Sequence, residues 1–446
     1  MKLKKPRPNH LATAAMVCTL MATPALSQEA VSSSAGISAR GVLAIISDGK
    51  QDANTYSSGL LADPGRRDTM TLWTEPFDPS RGPTGRIEAP NSNYSPSGIA
   101  VLSRDGRRAY VVETMRRPPG ATKLSQLVPS DRLMTYDISD PARPRALEET
   151  TVGRQPRSLD LSPDARTVVV LSKDAARPLT FVATKSDGKA STASFQVPGV
   201  ASGFDEFTFV QWSPKQDAIA VHIPSQNRII FLRIERSLDG TVEAVRPWGN
   251  PVVTNKYPLV GRFTPDGRHY LSSDVNWGPD VRGNSHVQRG VLTLIRVAES
   301  VDADARHQVT DLDITGQGAE SFAVSPDGQY VVVSNMETTG TLPEDPRHNS
   351  LALLTLYRLD AERSQLAKIS ETRYAGRLPQ GILFDAASRY VWVGTNELAE
   401  DRSQGGVLVF RLDRLPSPRL VDTGRRLPAP PGVHTLAAAL PLSTSD

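Results

Sequence analysis

Six copies of one short pattern set residues with chemical potential at matching places. Five positions before a turn marker (Ser103, Ser162, Ser213, Thr264, Ser325 and Asp385) stand Gly98, Arg157, Thr208, Leu259, Glu320 and Gln380. An ungapped match of Gly432 to Leu440 (GVHTLAAAL) puts His434 at the same place. An arginine there can grip a carboxylate or phosphate through two parallel N–H bonds. A glutamate and a histidine can serve as base and acid if their surroundings shift their pKa values. The candidate ligand-binding set is Arg157, Glu320, Gln380 and His434, with Glu206 and Tyr257 near the same strand starts. Arg157, Glu320 and His434 are the candidate catalytic residues if the chain is an enzyme. Such a ring of polar groups can also simply satisfy itself along a channel.

Other chemistry is thin. The histidines at 222, 269, 286, 307 and 348 lack the spacing of a zinc site. His348 with Glu344 and Asp345, and Asp274 with Asn276 and Asp280, read better as solvated loops than as metal ligands. The sequence holds no phosphate-cradling glycine loop, no nucleophile elbow and no haem attachment motif, so neither cofactor nor metal is expected.

The elements that position the ring follow from the repeat itself. Each copy is an apolar alternation, a turn such as Ser-Pro-Asp-Gly, and a second apolar run: GIAVLSRDGRRAYVV from Gly98 and SFAVSPDGQYVVV from Ser321 are two of them. Proline and Asp-Gly between alternating runs are hairpin chemistry. A third apolar strand follows each hairpin, as in Leu133 to Ile138 or Gly406 to Leu412, and then a more polar fourth, as in Ala146 to Gly153. Four antiparallel strands in roughly 50 to 60 residues make a propeller blade, which cannot bury both faces alone. The two ends complement each other. Gly432 to Leu440 lacks a hairpin partner, whereas Gly41 to Ile46 and Thr69 to Thr74 read as second and third strands lacking a first. Joined, they form one more blade from about 41–90 and 428–442. The expected fold is all-β, a seven-bladed β-propeller of four-stranded antiparallel blades closed by both termini; a six-bladed ring with decorated ends is the alternative.

At this point the chain resembles known families. ISDPARPRALEETTVGRQPRSLDLSPDARTVVV, from Ile138, is similar to the repeat of YVTN-type secreted propellers. GAESFAVSPDGQYVVVSNMETTG and LPQGILFDAASRYVWVGTNE resemble blades of seven-bladed lactonase-like propellers, which include cytosolic phosphogluconolactonases. The likeness implies Arg157 and Glu320 as site residues. It also implies a histidine after Pro-Arg, where this chain has Ser158, and that departure puts hydrolysis in doubt. Turn motifs of this kind specify architecture better than chemistry.

Residues 1–27 read as a cleaved leader: Lys2, Lys4, Lys5 and Arg7, an apolar Leu11 to Met21, then Ala25-Leu26-Ser27. The remainder, 28–446, reads as a single propeller domain in the periplasm or outside the cell. The one cysteine of the 446 residues, Cys18, lies within the leader. Removing four basic residues takes the formal charge from +3 to −1, which weakens any case for nucleic-acid binding. No later apolar run is long enough for a membrane span. The long loops Ser47 to Asp68, Glu113 to Arg132, Asp274 to Gly290 and Asn335 to Ser350 all fall on one rim. The expectation is a monomeric binding protein taking a small polar or anionic ligand, or a partner protein, at that loop-rich face and its central funnel. A lactone hydrolase using the same funnel is the alternative.

Overall fold

The computed structural model describes residues 41–94, 98–174, 176–183, 190–200, 206–277 and 288–439, all within the compact unit Gly36–Asp446. The leader and its boundary at 27/28 lie outside the described residues.

The marker turns are built alike. Ser103 Oγ donates to Asp105 Oδ1 (2.5 Å) and accepts the Arg108 N–H (2.9 Å), while Asp105 also takes the Arg107 N–H. Ser162 with Asp164, Thr264 with Asp266 and Ser325 with Asp327 repeat this pattern. The Ser103 hydrogen bond holds the Asp105 carboxyl below its usual range. In the sixth blade Asp385 is itself the acceptor, taking the N–H groups of Arg389 and Tyr390, which is why an aspartate can replace the serine.

Seven antiparallel sheets result. Their innermost strands are Ala100–Leu102, Pro156–Leu161, Val210–Trp212, Pro258–Phe263, Ser321–Val324, Arg377–Phe384 and Val433–Ala439. Each contacts the next around the ring, and the last contacts the first. The closing blade places Val42–Ser47 between Val433–Ala439 and Thr69–Thr74, with Gly85–Glu88 outermost. Ile45 lies opposite both Thr71 and Leu436. Gly432 makes the approach possible: at φ 97°, a Cβ there would sit 2.1 Å from the Asp48 carbonyl oxygen. Two boundaries differ from expectation. Residues 428 and 429 end the sixth blade's outer strand Arg419–Ala429, because a register shift lets that strand run on past its polar middle. The third blade gains a fifth strand, Val252–Val253, which pairs with the far end of Arg228–Arg236.

Packing follows the two-residue period of a strand. In the closing blade Leu43 and Ile45 face Trp392 and Val407 of the sixth blade. Ala44 and Ile46 face Tyr110 and Leu133 of the first. All four are fully buried, at roughly 1.5–3 kcal/mol for each large aliphatic side chain removed from water. The core is therefore a set of layers between blades, and the channel is what remains at the axis.

Phe209 reaches into that channel. A Cβ on Gly98 in the first blade would lie 2.6 Å from Phe209 Cε2 in the third. A contact that skips the second blade requires the Phe209 ring to stand in the axial space. This is why the first blade has glycine at the ring position.

Candidate functional site

The loop side of the channel begins with Arg157, at the start of its inner strand and 5% exposed. Its guanidinium donates to the Tyr94 carbonyl oxygen (2.7 Å), lies 5.9 Å from the Tyr94 ring centroid, and has Nη2 4.0 Å from Glu206 Oε1. Glu206 also pairs with Lys173 Nζ (3.2 Å) and hydrogen-bonds Tyr257. Burial and that negative neighbour push the Tyr257 hydroxyl up, so it stays protonated and can donate. Tyr257 itself has φ 61° and is fixed by its N–H to Asn227 Oδ1 (3.0 Å). Two cations against one carboxylate leave this cluster net positive.

Glu320 and Gln380 meet across neighbouring blades, with Gln380 Nε2 donating to Glu320 Oε2 at 2.8 Å. Burial raises the Glu320 carboxyl to about 7, against the pull of the Gln380 hydrogen bond and the Arg157 charge. Arg157 and Glu320 are thus within electrostatic reach but are not hydrogen-bonded to each other. Among the described residues Gln380 Oε1, Arg157 Nε and both side-chain atoms of Asn93 have no protein hydrogen-bond partner, although buried polar groups normally have one.

His434 belongs to a different group. It is fully buried, with Nε2 3.0 Å from Asn91 Oδ1 and Nδ1 3.1 Å from Thr435 Oγ1. Burial lowers its pKa to about 4, Asp48 opposing and Lys50 adding to the fall. Asp48 accepts the N–H groups of Asn93 (2.7 Å) and Lys50 (2.8 Å) and lies 3.0 Å from Lys50 Nζ. Burial favours its neutral form, but these partners outweigh it and hold the carboxyl low. Lys50 also pairs with Asp68, whose carboxyl burial raises to about 7. The histidine expected beside Arg157 and Glu320 is therefore held by its own hydrogen bonds beside an ion network.

The segment between Ser47 and Thr69 spans these groups. Its short helix Thr55–Ser58 sits against the fifth and sixth blades: Asn54 Nδ2 donates to the Thr341 carbonyl, and Arg377 Nη2 to Asn54 Oδ1, each at 2.8 Å. On the opposite side Leu61 N–H donates to the Thr122 carbonyl (2.9 Å) of the first blade. Tyr56, carried between, donates to the Asn93 carbonyl (2.6 Å). Burial keeps its hydroxyl protonated, with Glu320, Asp48 and Tyr94 adding to that effect and Arg157 opposing it. Tyr56 therefore links the Arg157 and Asp48 halves.

Thr208 and Leu259, at the same ring position, are structural. Thr208 Oγ1 bonds the Pro258 carbonyl (3.1 Å), and Leu259 packs in the core with Phe322. Among the other histidines, His222 bonds Tyr270 (2.8 Å), His269 bonds Ser364 (2.8 Å) and His307 bonds the Trp248 carbonyl (2.7 Å). Asp345 is paired with Arg347, and His348 lies 3.3 Å from Thr341. No three His, Cys, Asp or Glu groups among the described residues converge on a metal position. Asp280 lies outside the described residues.

No family model and no curated protein matches this chain. Solved structures do. A Bacteroides fragilis protein provisionally described as a 6-phosphogluconolactonase superposes with TM-score 0.60 at 14% identity, over 90% of this chain and 98% of that one. The periplasmic gluconolactonase of Pseudomonas aeruginosa gives 0.56 at 14%, over 90% and 99%. A Desulfotomaculum acetoxidans protein of unknown function gives 0.58 at 11%, over 90% and 98%. At these identities the likeness establishes the fold, a seven-bladed β-propeller. No helix among the described residues is long and apolar enough to cross a membrane.

Proposed function

We propose that the chain is an exported propeller whose loop-side funnel binds a small hydroxylated anion. Arg157 takes the negative charge, while Glu206, Tyr257 and Gln380 take hydroxyl groups. One observation carries this reading: Arg157 is fixed by Tyr94 in a cluster with Lys173 and Glu206, its Nε without a protein partner among the described residues. Export rests on the basic and apolar N-terminal segment.

A second reading, lactone hydrolysis, is favoured by Glu320, a carboxyl raised to about 7 beside a guanidinium. As carboxylate it would take a proton from water while the hydroxide adds to the lactone carbonyl. The ring C–O bond then breaks, and the alkoxide recovers the proton from Glu320, giving a hydroxy acid. Arg157 would steady the charge developing on the carbonyl oxygen. His434 takes no part, since both its nitrogens are engaged. The descriptions of two structural neighbours as gluconolactonases support the substrate class.

The test is calorimetric titration of the chain with gluconate against sorbitol, its neutral counterpart. Gluconate should bind at least about tenfold more weakly to Arg157→Gln, and sorbitol should bind weakly to both. Equal gluconate affinity in the two proteins refutes the site. Opening of glucono-δ-lactone, followed by a pH indicator, should be lost in Glu320→Gln if the second reading holds. Equal rates leave binding alone.

A further inference from the structure

On the hairpin face, where the inner strands of the third to sixth blades reach their marker turns, lies a lower cavity of about 270 Å³. Its chemistry comes from a variable position of the repeat, held in the first six blades by Val101, Asp160, Gln211, Arg262, Ala323 and Leu383. Two positions before the marker, Asp160 Oδ2 accepts the N–H of Trp212 on the next blade (2.8 Å), and Gln211 Oε1 accepts that of Phe263 (2.8 Å). Each thus caps the free edge of the neighbouring inner strand. The corresponding residue of the fourth blade is Arg262, which has only donors and cannot cap Val324 in this way.

Arg262 instead lays its guanidinium over the Phe209 ring, 5.0 Å from the centroid, and gives one hydrogen bond, to the Gly261 carbonyl oxygen (2.8 Å). It has no ion pair among the described residues. Asp160, which accepts the backbone N–H groups of Leu161 and Trp212, lies within electrostatic reach of Arg262 but makes no ion pair with it. The guanidinium lines the cavity opposite an apolar wall that includes Val324, Ile382, Leu383 and Phe384. Trp212 and Phe263 continue that wall on the other side. A cation with no ion pair among the described residues, set against apolar surface in a confined space, calls for a ligand that brings one negative charge and its own apolar body.

We infer that this lower cavity is a binding site for a small monocarboxylate with an apolar body, the carboxylate on Arg262 and the body against Leu383 and Phe384. The volume, below the ~300–1,000 Å³ of clefts for drug-sized ligands, admits roughly one aromatic ring or a short acyl chain. Arg157 is not among the residues that line it, so the site stands independently of the funnel reading.

Benzoate is the probe, titrated by calorimetry and ligand-observed NMR into the chain, with benzamide as neutral isostere and inorganic phosphate as charge without body. Saturable benzoate binding is expected, with benzamide and phosphate each at least about tenfold weaker. Arg262→Gln should weaken benzoate at least about tenfold, while Arg157→Gln should leave it unchanged. Ala323→Leu narrows the cavity without touching the charge and should also weaken binding, and thermal melts verify that each variant is folded. Absence of saturable benzoate binding, undiminished binding by folded Arg262→Gln, or benzamide binding as well as benzoate would overturn the assignment. Phosphate binding as strong as benzoate would overturn the apolar half of it.

Discussion

Glu320→Gln tests the electrostatics of the funnel without any ligand. The amide has the shape of a protonated carboxyl and can still accept the Gln380 Nε2 hydrogen bond. A glutamate ordinarily titrates near 4.5, and here burial raises the group to about 7. Between those two pH values the folded chain holds a proton that the unfolded chain has released. Stability is therefore fullest below about 4.5 and falls as pH rises toward 7, by about 1.36 kcal/mol for each pH unit. By pH 8 the carboxylate costs the fold about 3 kcal/mol, and glutamine removes that cost. With an unfolding entropy of about 2.1 cal/mol/K per residue, a chain of this size should melt about 3–4 °C higher as Glu320→Gln than as wild type at pH 8. At pH 5 the difference should shrink to about 1 °C. Differential scanning calorimetry at both pH values measures this. The other raised carboxyls, Asp68, Asp160 and Asp274, titrate in both proteins and cancel in the difference. A variant that melts below wild type at pH 8, or by the same margin at both pH values, refutes the assignment of a buried, proton-holding Glu320.

Lys50→Met should cost about 3–5 kcal/mol at pH 8, since it leaves Asp48 and Asp68 as buried carboxylates without their cation. The loss should shrink at pH 5, where Asp68 is protonated; an unchanged urea midpoint would contradict the network. Ending the chain at Pro431 removes Val433–Ala439, exposing the edge of Val42–Ser47 and opening the ring. Loss of a single cooperative unfolding transition is expected, and a melting curve like that of the full chain would count against closure by the last strand.

The architecture was legible because its signals repeat. Alternating apolar runs flanking turns like Ser-Pro-Asp-Gly recur every 51 to 61 residues, and the two unmatched ends could be joined by the same pattern. The sequence missed the second-strand extension to Arg116 and the extra strand at Val252–Val253, neither of which the repeat requires. The site was legible only in part. Arg157, Glu320 and Gln380 came from ring position, and Glu206 and Tyr257 lie where strand starts converge. Lys173, Tyr94, Tyr56 and the Asp48–Lys50–Asp68 network did not, because they come from loops and strand ends that obey no period. His434 shows the limit of positional reasoning. Its place in the ring was read from an alignment, but which way an imidazole is held depends on Asn91, a residue 343 positions away.

The departures from the repeat carry the most chemical meaning. A repeating scaffold fixes backbone positions cheaply in information, so a residue that fails to do the repeat's structural task stands out. Gly98 lacks a side chain where other blades have one, and Phe209 fills that space. Arg262 donates where Asp160 and Gln211 accept, and it lines a cavity instead of capping a strand edge. Arg157 and Glu320, by contrast, meet the loops, where length is free to vary and polar partners can be assembled from distant parts of the chain. The two ends of the inner strands can thus carry different chemistry, the proposed polar funnel at one and an apolar mouth with one cation at the other. Arg157 does not line the lower cavity, which is why substitutions at Arg157 and Arg262 should act on different ligands.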